Sequence, residues 1–149
     1  SSFQRGDEIQ RNLQTEQTTL AAAICFEIAF PELLRKNMDA ETGVLLTLSN
    51  DAWFGDSIGP DQHLEIARMR ALEFERPLLR ATNNGITAIF DASGNEVGRL
   101  PRDVAAVLSK NIQPAFGKTP YQIVGSYPLY LYSLLILFGL FLYSRYIKK

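Results

Sequence analysis

One cysteine, one histidine and no excess of either charge leave this 149-residue chain few routes to chemistry. A lone cysteine cannot close an intramolecular disulfide, so the fold must rest on its core, and it says little about redox compartment. His63 has no second histidine and no cysteine at a ligand spacing, so no zinc site or other metal site is expected. With 15 basic and 16 acidic side chains, there is no electrostatic case for a nucleic-acid partner. No residue pattern calls for a cofactor, and there is no internal repeat or low-complexity tract. No lysine precedes Lys36, and Thr119 to Ser144 contain no charged residue at all. Ser1 to Gly6 hold no apolar segment, so no signal peptide is expected there and the chain reads as the end of something longer.

The charge-free stretch is the first positive feature. Leu129 to Tyr143 is almost wholly Leu, Ile, Phe and Tyr. A bilayer-crossing helix needs about 20 apolar residues, and 128–147 supplies them. Tyr127, Tyr130 and Tyr132 crowd one end and Tyr143 and Tyr146 the other, as headgroup interfaces favour. Arg145, Lys148 and Lys149 then place the C-terminus on the cytoplasmic side, leaving the globular part outside. A buried core helix is the structural alternative; the aromatic ends and basic tail fit a span better. The expected organisation is a globular part over 1–112, a linker over 113–127, a transmembrane helix over 128–147 and a basic cytoplasmic tail at 148–149.

Within the globular part, residues 1–18 are polar and aperiodic. Thr19 to Ile24 predicts a strand, and Pro31 suits the first turn of a helix to Met38. Val44 to Ser49 is a continuous apolar run, typical of a strand buried on both faces. It ends in a polar and aromatic loop, Asn50-Asp51-Ala52-Trp53-Phe54-Gly55. A helix is expected over 62–75, with Leu64, Ala67, Ala71 and Leu72 as its apolar stripe and Glu65, Arg68, Arg70 and Glu73 on other faces. Leu78 to Thr82 reads as a strand, Asn83-Asn84-Gly85 as a turn, and 86–90 with 96–100 as a hairpin across Asp91-Ala92-Ser93-Gly94. A last short strand is expected at 105–108. Alternating strands and helices followed by a hairpin imply an α/β fold with a mixed sheet.

Cys25 stands at the corner between the first strand and the first helix. Such a corner lies near exposed backbone N–H groups and the positive end of the helix dipole, where a thiol deprotonates more easily. An isolated cysteine is also often a small buried hydrophobe. A Cys25–His63 dyad is conceivable, although nothing in the spacing favours it.

Ile24-Cys25-Phe26-Glu27-Ile28-Ala29-Phe30-Pro31-Glu32 resembles the cysteine motif of the carbon–nitrogen hydrolase (nitrilase) superfamily. Leu48 to Gly55, Ile66 to Glu73 and Arg76 to Ala88, in that order and followed by a closing membrane helix, resemble the apolipoprotein N-acyltransferase branch of it. The likeness runs from Ala22 onward. It implies the second half of a nitrilase-like α-β-β-α sandwich followed by one C-terminal transmembrane helix, in the bacterial inner membrane with the globular part periplasmic. It further implies a Glu–Lys–Cys triad with Cys25 as nucleophile. The family's glutamate and lysine lie upstream of the cysteine; here Glu8, Arg11 and Glu16 precede it but no lysine does, so neither role is assigned, and this chain alone is expected to be inactive.

The implied partners are a membrane, a phospholipid acyl donor and a diacylated lipoprotein acceptor, joined through a Cys25 thioester. The Phe26 backbone N–H is the expected oxyanion donor beside the nucleophile. Glu27 is a poor activator, because a carboxylate near sulfur disfavours the thiolate; it positions the amine, holds the elbow, or bonds loop backbone. Trp53, Phe54 and Asn50 are substrate-binding candidates, the aromatics against ordinary packing and Asn50, like Asp51, against a turn-capping role. Arg76, Arg80, Asn83 and Asn84 read as braces of the sheet edge. Two rivals remain: a membrane-tethered carbon–nitrogen hydrolase (amidase), and a non-catalytic membrane-anchored fragment.

Overall fold

The computed structural model describes residue 7 and residues 9–147. Glu8, the first six residues and the Lys148–Lys149 tail lie outside the described residues. In chain order the elements are β1 (Leu13–Gln14), β2 (Thr19–Ile24), a 3-10 turn (Cys25–Ala29), α1 (Pro31–Asn37) and β3 (Thr42–Asn50). A second 3-10 turn (Ala52–Phe54) leads to α2 (Gly59–Phe74), β4 (Leu78–Asn83), β5 (Ala88–Phe90), β6 (Glu96–Arg99), α3 (Pro120–Val124) and α4 (Tyr127–Ile147).

All six strands form one sheet in the order β1-β2-β3-β4-β5-β6. The three central strands are parallel, and the outer pairings are antiparallel. The parallel pairs are joined by crossovers containing α1 and α2, as parallel neighbours require. The hairpin closes on Asp91, whose Oδ1 accepts the backbone N–H of Ser93 at 2.8 Å and of Asn95 at 2.9 Å. Gly94 there has φ +71°, which a side chain would resist.

Register sorts the side chains. Ala21 pairs with Leu45 and Leu45 with Leu78, and Leu78 with Phe90, so these share one face. That face meets Leu64, Ala67, Ala71 and Phe74 of α2 and Leu34 of α1 in a single buried cluster. Leu20, Ala22, Ile24, Leu46, Leu48, Leu79 and Ala81 occupy the opposite face and none of them is fully buried, although Val44 and Ile89 on that face are. The expectation that β3 is buried on both faces therefore holds only at its start: Leu48 is 44 % exposed, because the helices cover one side of the sheet.

Other departures from the sequence reading are local. Helix α2 begins at Gly59, three residues early, and ends with Glu75 in the left-handed region at φ 48°. Its buried stripe includes His63 and Arg70, whereas Leu72 is 41 % exposed and lies over Gly94. The stripe was misread because Arg70 reaches inward with its charge paired to Glu73 at 2.8 Å. Residues 105–108 form no strand; the Leu108 side chain lies over Gly98 of β6 but no backbone ladder forms, and Val107 is 91 % exposed.

Within 113–127 the chain is a strap tied to the body, containing α3. Ala115 donates to the Gly43 carbonyl at 3.1 Å. Arg76 is buried and donates to the carbonyls of Thr42, Phe74, Glu75 and Gly117, joining β3, the end of α2 and the strap. Thr119 caps α3 reciprocally with Gln122, and its hydroxyl donates to the Glu73 carbonyl at 2.6 Å. Helix α4 follows, fully exposed; at 1.5 Å per residue its 21 residues span about 31 Å. It is the one helix among the described residues that is long and apolar enough to cross a bilayer.

Glu32 of α1 anchors the strap just before α4. Its carboxylate pairs with Arg35 at 2.8 Å and accepts from the Ser126 backbone N–H at 3.2 Å and the Tyr121 hydroxyl at 3.5 Å. The Arg35 hydrogen bond is the main cause holding its pKa below the ordinary 4.5; partial burial opposes it and the Ser126 N–H assists. A depressed carboxylate contributes stability above its unfolded pKa and loses it as pH falls through the folded value. Hydrogen exchange should therefore show protection of the Ser126 amide, relative to Glu32→Gln, present at pH 6 and lost on acidification below the ordinary glutamate range. Equal protection in both proteins at every pH would refute this anchoring.

Candidate active site

The carboxyl ends of β2, β3 and β4 meet at one edge of the sheet, where ligands bind in open α/β folds. Cys25 stands there as the first residue after β2. Its φ is +51°, a conformation that costs a non-glycine residue on the order of 1–3 kcal/mol and clusters at functional sites. The thiol is half-buried, with Sγ 3.4 Å from Ser49 Oγ.

Beneath it lies a buried polar network. Asp51 is 0 % exposed. Its Oδ1 accepts the Ser49 hydroxyl at 2.6 Å and lies 3.0 Å from His63 Nδ1, while its Oδ2 accepts Arg80 Nη2 at 2.7 Å. The same Arg80 nitrogen is 3.2 Å from His63 Nδ1, and Arg80 Nε donates to the Ile86 carbonyl at 3.2 Å. His63 Nε2 reaches the Cys25 carbonyl oxygen at 3.3 Å. The loop after β4 closes over Asp51 at Gly85, where a Cβ would overlap the carboxylate. Burial pulls the Arg80 pKa below the ordinary arginine value, and the charges of Asp51 and of the Cys25 side chain oppose that shift.

The other sequence-derived candidates divide around this centre. Phe26 is half-exposed beside Cys25, its ring 5.8 Å from Phe30 and 6.1 Å from His63. Glu27 accepts the Ile24 backbone N–H at 2.7 Å through Oε2, so its carboxylate closes the elbow on itself. Asn50 caps the following turn, its Oδ1 accepting from the Ala52 N–H at 3.1 Å. Phe54 packs at 5.9 Å from His63, whereas Trp53, 5.0 Å from Phe54, is 70 % exposed. The structure thus brings Cys25, Phe26 and Phe54 to one place and leaves Trp53 projecting outward.

Arg76 and Arg80 are corrected: both are buried, not braces on an edge, because their long side chains thread to carbonyl and carboxylate acceptors inside. Asn84, with φ +56°, does sit at the edge, 3.4 Å from Asp103. The conceivable Cys25–His63 contact exists, but through the cysteine carbonyl rather than its sulfur. Ser49, Asp51, His63 and Arg80 are the site residues that sequence reasoning missed or read as structural. The available signal was strand parity, since Arg80 falls on the same side as Leu78 and so points inward.

A strained cysteine at the carboxyl edge of a mixed α/β sheet defines a class, and the comparison of sequences agrees with it. The carbon–nitrogen hydrolase family profile matches residues 1–121, and the chain belongs to that family. Among curated relatives it is 55 % identical over 134 residues to the apolipoprotein N-acyltransferase of Photobacterium profundum, covering 90 % of this chain and 26 % of the relative. It is 52 % identical over 137 residues to that of Haemophilus influenzae, covering 92 % and 26 %. It is 50 % identical over all 149 residues to that of Shewanella oneidensis, 28 % of that protein. The chain thus spans about a quarter of the length of these relatives.

Solved structures agree on the fold. A carbon–nitrogen hydrolase from Helicobacter pylori matches with a TM-score of 0.58 at 15 % identity, covering 67 % of this chain and 42 % of that one. An amidase of the nitrilase superfamily from Nesterenkonia AN1 matches at 0.56 and 20 % identity, covering 68 % and 41 %.

Removing one partner from a buried, hydrogen-bonded ion pair typically costs about 3–5 kcal/mol. Asp51→Ala should therefore lower the unfolding free energy by about that much in a denaturant titration of the detergent-solubilised chain. Glu65→Ala, which breaks a pair whose side chains are 44 % and 60 % exposed, should cost under about 0.5 kcal/mol. Equal losses would show that Asp51 is not the hub of the site.

Proposed function

We propose that this chain is the cysteine-bearing half of the catalytic domain of an apolipoprotein N-acyltransferase, with Cys25 carrying a fatty acyl group between two lipid substrates. The observation that carries the reading is the Cys25 elbow, strained at φ +51° with its sulfur on Ser49, in a chain about half identical to proteins of that name.

The chemistry is covalent and runs in two halves. The Cys25 thiolate attacks the ester carbonyl of a phospholipid; the C–O bond breaks, and the lysophospholipid leaves as an alcohol after taking a proton. The free α-amine of a diacylglyceryl-cysteine lipoprotein then attacks the thioester. The C–S bond breaks, the amine loses a proton, and an amide forms as the thiolate returns. The Phe26 backbone N–H serves the oxyanion in both halves. Glu27 holds the elbow through Ile24. Phe54 lines the acyl path at its root and Trp53 at its outer end, with Asn50 capping the turn that carries both.

A thiol of ordinary pKa, about 8.5, is mostly protonated at neutral pH, so a base must take its proton. In the family pattern that base and its lysine partner precede the cysteine, and no lysine precedes Cys25 here. They belong to a segment whose sheet packs on the open face of Leu20, Ala22, Leu46, Leu48, Leu79 and Ala81, completing an α-β-β-α sandwich. This chain alone is then inactive. Residues 1–112 form the second part of that domain, 113–127 the strap leading to the membrane, 128–147 the span and 148–149 the tail. The basic end at Arg145, Lys148 and Lys149 supports a cytoplasmic C-terminus and a periplasmic site, in a bacterial inner membrane that also supplies the phospholipid.

The test is acyl transfer by the full-length protein from labelled phospholipid to a diacylated lipopeptide. Wild type should form a hydroxylamine-sensitive adduct and then labelled lipopeptide, while Cys25→Ser should lose both by at least about 10³-fold. Label appearing as free fatty acid instead would point to a hydrolase. Undiminished transfer by the variant would overturn the assignment of the nucleophile.

A further inference from the structure

The strain at Cys25 has to be held by something, and Glu27 holds only the strand side of the elbow. Helix α2 reaches the other side. His63 is 2 % exposed and its Nε2 lies 3.3 Å from the Cys25 carbonyl. A carbonyl oxygen can only accept, so Nε2 carries the proton of that bond. Nδ1 faces both Asp51 Oδ1 and Arg80 Nη2, at 3.0 and 3.2 Å, donating to the carboxylate when it carries a proton and accepting from the guanidinium when it does not. Asp51 also takes the Ser49 hydroxyl at 2.6 Å, which turns the Ser49 oxygen toward Cys25 Sγ at 3.4 Å.

We infer that His63, locked by Asp51 and Arg80, is the positioning residue of the nucleophile: it grips the Cys25 carbonyl while Ser49, held by the same carboxylate, seats the sulfur. This inference deepens the acyl-transfer reading and rests on it for its purpose, but its geometry stands without it. Cys25 is clamped at two points by one buried hub. Losing either point lets the left-handed residue relax and carries the sulfur away from Ser49. A displacement of about 1 Å at a reacting atom is enough to cost up to about 10²-fold in rate.

The charged and titratable groups around this elbow are Asp51 on the loop after β3, His63 and Arg70 on α2, Arg80 on β4 and Glu27 on the elbow itself. Arg70 Nη1 lies 3.5 Å from the Ile28 carbonyl. A change in Cys25 reactivity with pH has to be read against all five, so the variants are chosen to leave the other four in place. Glutamine puts an amide N–H about where His63 Nε2 lies; asparagine is too short to reach Cys25.

The experiment is the pH–rate profile of iodoacetamide alkylation of Cys25, the sole thiol of this chain, in detergent micelles, with thermal melting alongside. His63→Asn should slow alkylation at pH 7 about tenfold, a loss of one hydrogen bond's worth of positioning, and move the profile to higher pH. His63→Gln should restore it to within about threefold. Ser49→Ala, which leaves His63 untouched, should also change the profile, but to lower pH, because the Ser49 proton is directed at Asp51 and its oxygen accepts from the thiol rather than stabilising the thiolate. Profiles for His63→Asn and Ser49→Ala that match wild type would overturn the inference. So would equal slowing in His63→Asn and His63→Gln in proportion to lost melting temperature, the mark of a core residue only. Failure of acyl transfer in the full-length protein would instead strike the functional reading, since alkylation needs no lipid.

Discussion

The Asp51 carboxylate is the constraint on which the rest of this structure depends. A charge with no exposure to water is tolerable only if every lone pair is answered. Here it accepts from Arg80 and Ser49 and lies against the His63 ring, from β4, β3 and α2 respectively. Those elements cannot shift relative to one another without stranding a buried ion. The loop after β4 is pressed onto the same carboxylate at Gly85, which has no room for a side chain. The hub therefore does for the carboxyl edge of the sheet what the apolar cluster does for its middle.

Function inherits this rigidity. Cys25 sits in a backbone conformation that a free peptide would leave, and local strain persists only where its surroundings over-determine it. Glu27 closes the elbow from within and His63 grips it from below. The same architecture ties the site to the membrane. Helix α1 starts two residues beyond the Cys25 turn, and its Glu32 takes the Ser126 amide just before α4. The span, the strap and the nucleophile are thus links of one short mechanical chain.

Much of the fold was legible in the residues. The strand, turn and helix around Cys25, the β5–β6 hairpin and the exposed apolar helix α4 follow from local pattern, because turn chemistry and hydrophobic period act over a few residues. What was misread has one physical origin: long polar side chains that turn inward. Arg70, Arg76 and Arg80 look like surface charges in a linear chain, yet each is buried, Arg70 on Glu73 of its own helix and Arg76 and Arg80 on acceptors supplied by remote segments. Residues 105–108 fail in the opposite sense, having strand composition but forming no backbone ladder.

The sequence by itself determined that a nucleophile-like cysteine stands at a strand-to-helix corner and that the chain carries a membrane-length helix, since both are properties of contiguous residues. Family membership was legible in the same way, from blocks of residues in order. Only the tertiary structure decided what surrounds the sulfur. Ser49, Asp51, His63 and Arg80 are separated by up to 31 positions in the chain and meet only because parallel strands bring their carboxyl ends to one edge. A buried charge network has no linear signature; it exists where folding removes water and obliges distant groups to answer one another.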